Sequence, residues 1–261
     1  IAGQAAMAIE TSQLYEQTVQ QERLQHEILL AQRIQKSFLP EHPPEVAGWQ
    51  IAVDWRAVRG VGGDFYDFIP LDERHLGLLI ADVSDKGVAA ALYMALSRTV
   101  VRAAALGTMS PSETLRRANR ILLQDSRSGM FVSIFYGILD LKTGAFGYAR
   151  AGHNPPLLVE TAEGNIRALE PPGIVLGVVE DPNLAEEWTT IERGDALVMY
   201  TDGVTDCRGP DGQAFGLERL ERCFEKYQEL PAEETIEEVL AELDRFRRQV
   251  PPTDDRTLVV F

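Results

Sequence analysis

The sequence has two cysteines, Cys207 and Cys223, in 261 residues. They match no zinc spacing and allow at most one bridge, so a disulfide framework is excluded and a reduced, cytoplasmic compartment is the simplest expectation. Basic residues are outnumbered: 25 Lys and Arg face 40 Asp and Glu, a formal net charge of −15. A chain this acidic repels phosphate backbones, so nucleic acid is not an expected partner. No apolar run is read as reaching the roughly 18 residues of a membrane span, and no signal peptide is visible, so no membrane is expected. Internal repeats and low-complexity segments are also lacking. The chain opens on Ile1, not Met, and is read as a piece of a longer protein.

Hydrophobic residues make up 45% of the chain, enough for one substantial core with an appendage. Between Ala5 and Phe38 there is neither Gly nor Pro. Within that stretch Leu24, Ile28, Ala31, Ile34 and Phe38 recur at steps averaging about 3.5 residues, the period of a helix seam. The seam suits a partner helix or the helix's own domain, and a homodimeric coiled coil is the expectation. Pro40, Pro43 and Pro44 stop the helix. Residues 1–40 thus read as a linker helix and 45–261 as the globular domain.

After the prolines the pattern is mostly strands: 49–58, 64–71, 75–83, 130–141, 145–152, 156–160, 165–170, 186–192, 195–202 and 256–261. Helices are expected at about 88–106 and 111–126, and again at about 216–228 and 232–248. Tight turns between strands imply antiparallel pairing, and helices come in consecutive pairs. The expectation is an α+β layered domain, not a βαβ repeat.

Acidic residues recur where apolar strands end. "VRGVGGDFYD" carries Asp64 and Asp67 beside a glycine pair; "LLIADVSDKG" ends in Asp82, with Asp85 and Gly87 beyond; "LVMYTDGVTD" ends in Asp202, with Gly203 and Asp206 beyond; "PPTDDRT" sets Asp254 and Asp255 before the last strand. An acid at the end of a buried strand is costly unless it is hydrogen-bonded, paired or bound to metal. Lys and Arg are sparse beside these clusters, which turns attention from ion pairs to cations. Oxygen ligands without His or Cys select Mg²⁺ or Mn²⁺. Strand-end acids converging on one edge suit two such ions about 4 Å apart, a spacing fitted to hydrolysis at phosphorus. Glycines beside them let backbone or phosphate approach closely.

The ordered set GGDFYD, ADVSDKG, AGHNPP, YTDGVTD and TDDRT resembles the metal-dependent protein phosphatase (PPM) family, and within it the bacterial serine phosphatases of the stage II sporulation protein E type. The resemblance covers about residues 45–261. It implies a β-sandwich of two antiparallel sheets flanked by pairs of α-helices, and hydrolysis of phosphoserine or phosphothreonine at a centre of two Mn²⁺ or Mg²⁺ ions, with room for a third. Asp82 resembles the bridging ligand, with Val83 offering its carbonyl. Asp202 and Asp254 would complete one metal, and Asp64 the other, directly or through water. Many relatives have Asn where this chain has Asp255, so Asp254 and Asp255 are open to exchange. Asp67, Asp85 and Asp206 are read as outer or third-metal candidates, or as turn acceptors, and Arg59 as a phosphate grip or a solvated turn residue.

The best-known eukaryotic members place a His shortly after the bridging Asp, as acid for the leaving serine; here those positions are Val83 and Ser84. His153 in AGHNPP is read as ordering a loop near the site, and Cys207 receives no role. The first residues resemble the last helix of a GAF sensory domain, and "LAQRIQKSFLP" a linker typical before such phosphatases. The resemblance further implies a phosphorylated anti-sigma-factor antagonist of the STAS type as substrate. Two other readings compete. GGDFYD is superficially similar to the GGDEF signature of nucleotide cyclases, which needs a folded half upstream that is not here. A degenerate phosphatase fold serving as a docking module would be expected to lack some of the strand-end acids.

Overall fold

The computed structural model describes residues 2–58, 60–125 and 129–261, with side chains in the first helix from residue 13 onward. After a long helix α1 (Ala2–Phe38) come β1 (Ala52–Arg56), β2 (Phe65–Pro70), β3 (His75–Val83), α2 (Val88–Ala105), α3 (Pro111–Asp125), β4 (Val132–Asp140), β5 (Ala145–Ala151), β6 (Leu157–Glu160), β7 (Asn165–Ala168), β8 (Glu187–Thr190), β9 (Ala196–Tyr200), α4 (Asp202–Thr205), α5 (Leu217–Tyr227), α6 (Ala232–Arg247) and β10 (Arg256–Val260). The strands form two five-stranded sheets, β1-β10-β9-β6-β7 and β2-β3-β4-β5-β8, and every strand pairing is antiparallel. The expected α+β sandwich with its helix pairs is the fold found.

The first sheet is apolar on both faces, which explains its near-continuous hydrophobic runs. Leu158, Leu197, Met199, Val259 and Phe261 join the core between the sheets. Their alternating neighbours Leu157, Val159, Val198, Tyr200, Leu258 and Val260 pack under α5 and α6 with Phe224, Ile236 and Val239. A period of two thus serves two cores at once. The second sheet is backed by α2 and α3, whose Met94, Val101, Leu115 and Leu122 complete the main core.

Helix α2 departs from the sequence reading. Over Val88–Ala105 it is long and apolar enough, at a mean hydropathy of 1.3, to cross a membrane by length and composition. Here its apolar stripe lies on the second sheet. Its Arg98 and Arg102 reach Asp67 at 2.9 and 2.8 Å. Asp67, fully buried on β2, is therefore ion-paired to helix α2.

The described part of α1 leaves its expected seam open: Leu24, Ile28, Ile34 and Phe38 are all exposed. The helix end is tied down: Gln35 and Leu39 are buried, and the Tyr66 hydroxyl donates to the Pro40 carbonyl at 3.2 Å.

Candidate metal centre

Antiparallel pairing carries the sequence-distant acids to one end of the sandwich. Phe65 at the start of β2 faces Ala81 near the end of β3, which sets Asp64 beside Asp82. Leu258 near the start of β10 faces Tyr200 at the end of β9, which brings Asp254 and Asp255 to Asp202. Residues 57–58, after β1 of the first sheet, and 60–64, before β2 of the second, lie at this same end, so the site sits on the seam between the sheets.

Asp64 is held by the opposite sheet. Its Oδ2 accepts from Thr201 Oγ1 at 2.6 Å and Thr257 Oγ1 at 2.9 Å, and the Trp55 indole N–H donates to its carbonyl at 2.9 Å. Asp255 organises the crossing loop: its carboxylate accepts from the backbone N–H of Val58 and of Gly63, both at 2.9 Å. The glycine pair is explained by contact. A Cβ on Gly62 would lie 2.1 Å from Asp255 Oδ2, and one on Gly63 would lie 2.8 Å from the Val83 carbonyl oxygen and 3.1 Å from Asp82 Oδ1. Any side chain at either position displaces a candidate ligand.

The electrostatics are those of crowded negative charge. Burial, then the Asp82 charge, pushes the Asp64 carboxyl well above the usual carboxylate range despite its two threonine donors. Burial, then Asp202, pushes Asp82 up to about 7. Asp202 is raised by burial, Asp254 and Asp206, and Asp255 by burial against its two backbone donors. Among the described residues, Lys86 answers them: its Nζ lies 2.6 Å from Asp254 Oδ2 and donates to the Thr253 carbonyl at 3.2 Å. Among the described residues no group of three or more His, Cys, Asp or Glu side chains stands close enough together to hold a metal ion as they lie here. The donor chemistry, oxygen ligands only, is that of a hard divalent cation.

A pH dependence follows. These carboxyls are raised only in the folded chain, so between about pH 4 and pH 7 the folded state holds protons that the unfolded state has released. Stability without divalent metal is therefore expected to decline as pH rises through this window. Thermal melts should show it, and Mn²⁺ should raise Tm by about 5 °C or more at pH 8 but far less at pH 5.

The remaining sequence candidates divide. Asp206 is exposed but close enough to raise Asp202. Asp85 is exposed at φ 82°, its carboxylate accepting from the Lys86 N–H at 2.8 Å. Asp67 belongs to the ion cluster on α2. Arg59 lies outside the described residues. His153 is buried, with Nδ1 2.9 Å from Ser133 Oγ, whose hydroxyl donates at 3.3 Å to the Asp82 carbonyl. Burial pushes its pKa down to about 3, so the ring stays neutral and orders the strand end from behind. Sequence reasoning missed Thr201, Thr257 and Lys86. Lys86 stood in the quoted ADVSDKG, whereas the threonines carry no signal until β9 and β10 are known to adjoin Asp64. A cavity of about 910 Å³ lined by Trp49, Leu141, Asp195 and Phe261 lies at the other end of the sandwich, away from all these acids.

Residues 72–261 match the family model of stage II sporulation protein E (SpoIIE). The chain belongs to the SpoIIE family. Among curated SpoIIE-like proteins it is 30% identical over 246 residues to phosphoserine phosphatase RsbU of Bacillus subtilis, covering 92% of this chain and 71% of that protein. It spans 35%, 71% and 57% of the lengths of three curated relatives. Among solved structures, the SiaA-PP2C domain of Pseudomonas aeruginosa superposes with a TM-score of 0.82 at 21% identity, over 92% of this chain and 97% of that one. RsbX, solved in complex with magnesium, superposes with a TM-score of 0.57 at 19% identity, over 81% and 93% of the two chains. These likenesses establish a PP2C-type phosphatase fold.

Proposed function

We propose that this chain is a divalent-metal-dependent protein serine/threonine phosphatase domain. The observation that carries the reading is the convergence of Asp64, Asp82, Asp202 and Asp254 from both sheets, with the carboxyls of Asp64, Asp82 and Asp202 raised by burial and by neighbouring carboxylates. The phosphoserine phosphatase name of RsbU and the magnesium bound to RsbX support it.

Asp82, Asp64, Asp202 and Asp254, with the Val83 carbonyl, would hold two Mn²⁺ or Mg²⁺ ions, and a third would draw on Asp206. When bound, such ions supply Lewis acidity and activate water for attack at phosphorus. The chain's own residues do the rest. Thr201 and Thr257 fix one oxygen of Asp64 so that the other faces Asp82. Asp255 gives both oxygens to backbone N–H groups of the loop. Asp254 gives Oδ1 to the Asp255 N–H and Oδ2 to the Lys86 side chain, a partner more easily exchanged for a cation, so Asp254 is the ligand we propose from that pair. Gly203 lets the Asp202 turn close against the Asp255 backbone, and Gly87, at a φ of +82°, turns the chain from Asp85 into α2. Lys86, paired with Asp254 here, would be free to meet an incoming phosphate if that carboxylate held a metal.

The substrate we propose is a phosphorylated STAS-type anti-sigma-factor antagonist, acted on in the cytoplasm. Residues 1–40 act as a linker from an upstream GAF-like sensor, and the exposed seam of α1 pairs two copies. Phosphate release from a phosphoserine protein tests the reading. Turnover with Mn²⁺ that stops with EDTA is expected. Unchanged turnover in EDTA would sink it, and Mn²⁺ binding without turnover would favour a docking module.

A further inference from the structure

The most buried side chain in the described part of α1 is not apolar. Gln35 is 3% exposed, while the apolar residues of the seam stay open to solvent. A buried amide is costly unless both its polar atoms are bonded, and both of these bond to the backbone of one residue. Gln35 Nε2 donates to the Gly62 carbonyl at 2.5 Å, and Gln35 Oε1 accepts from the Gly62 N–H at 3.0 Å. Gly62 thus makes with Gln35 the pair of bonds that a neighbouring strand would provide.

The clasp sits one residue from the carboxylates. Gly62 is packed against the Asp255 carboxylate, and the next N–H, of Gly63, donates to it. Gly63 itself touches Val83 and Asp82, and Asp64 follows. A second contact comes from the same face of α1, two turns earlier: Ile28 Cγ2 lies 3.2 Å from where a Cβ on Gly60 would be. Ile28 and Gln35 are one heptad apart, so Gln35 occupies the place where the seam would next set an apolar residue. That seam position is used within the chain, on the crossing loop.

We infer that Gln35 is a positioning residue for the carboxylate site: by clasping Gly62 it holds the segment 60–64 against Asp255 and sets where Asp64 and the Val83 carbonyl stand. The helix end is then a structural part of the site, and rotating or lifting α1 by one turn disconnects it. This rests on reading the carboxylates as a divalent-metal site, so the test has one readout that needs no metal.

Gln35→Leu removes both bonds at similar volume. Tyr66→Phe is the control, since it cuts the other tie of the same segment, the bond to the Pro40 carbonyl, and touches no carboxylate. In metal-free protein, amide hydrogen exchange at Gly62 and Gly63 is expected to quicken at least about tenfold in Gln35→Leu and to stay unchanged in Tyr66→Phe. Calorimetry with Mn²⁺ alone is expected to show about tenfold weaker binding in Gln35→Leu only, the size typical of losing a residue that orients a ligand. Unchanged exchange in Gln35→Leu overturns the clasp. Loosened exchange with unaltered Mn²⁺ affinity overturns the positioning role and leaves a helix anchor. Wild-type protein that binds no Mn²⁺ overturns the metal-site reading instead, and the exchange result still decides the clasp.

Discussion

Replacing Asp82 by Asn is expected to lower metal-dependent phosphate release by at least about a thousandfold while leaving the fold at least as stable as before. The two halves of this expectation come from one observation. Asp82 is the carboxylate on which the repulsion of Asp202, Asp254 and Asp255 falls, and it stands beside Asp64 at the end of the neighbouring strand. Position and charge suit it to the shared-ligand role proposed above, whereas an amide would offer one oxygen and no charge. Without metal, however, its charge opposes folding, so Asn should raise the metal-free Tm near pH 8. Release of p-nitrophenol from p-nitrophenyl phosphate with Mn²⁺, beside a thermal melt in EDTA, reads both. Full activity in the variant would remove Asp82 from the centre. Lost activity with a lowered Tm would reduce the effect to unfolding.

The second large effect is expected at Gly203. A Cβ there would lie 1.7 Å from the Asp255 carbonyl oxygen and 2.8 Å from its carbon, and both obstacles are backbone. Gly203→Ala therefore has to part α4 from β10, which displaces Asp202 and Asp255 together. A loss of more than about 4 kcal/mol is expected, the range reserved for specific steric or packing failures. Gly87→Ala is the useful contrast. Nothing lies within 4 Å of a Cβ there, and only its φ of +82° is unfavourable, so the cost should be about 1 kcal/mol. Urea unfolding of both variants checks the difference, and equal losses would show that contact at Gly203 is not what selects glycine.

The sequence was most informative where burial imposes a period. His75–Val83 reads from alternation and apolar runs with the boundaries the strand has, and Pro111 marks the start of α3. Strand ends were drawn too long, as at 49–58 against Ala52–Arg56, because apolar residues continue past the last ladder bond. The short α4 was not anticipated, since four residues, Asp202–Thr205, carry no period. Acid identities were visible, but their partners were not. Asp67 looked unpaired because no cation lies near it in the sequence, and its arginines stand four apart on α2, a helix whose docking face only the fold reveals. Gln35 was hidden for a related reason: on a helix surface a glutamine is ordinary, and it matters only once Gly62 is folded against it.

Placing the site across the sheet seam also bears on how the protein is made. Asp64 and its threonine donors are separated by 137 and 193 positions, and β10 inserts between β1 and β9. During synthesis the chain can form the β2-β3-β4-β5 meander early, yet Thr257, Asp254 and Asp255 arrive only with the last strand. An incomplete nascent chain holds Asp64 and Asp82 without their counterparts, so it has neither the ligands to retain a metal nor the contacts to close the loop. If the carboxylates act as proposed, hydrolysis has to wait for the last strand of the domain, with no inhibitor needed.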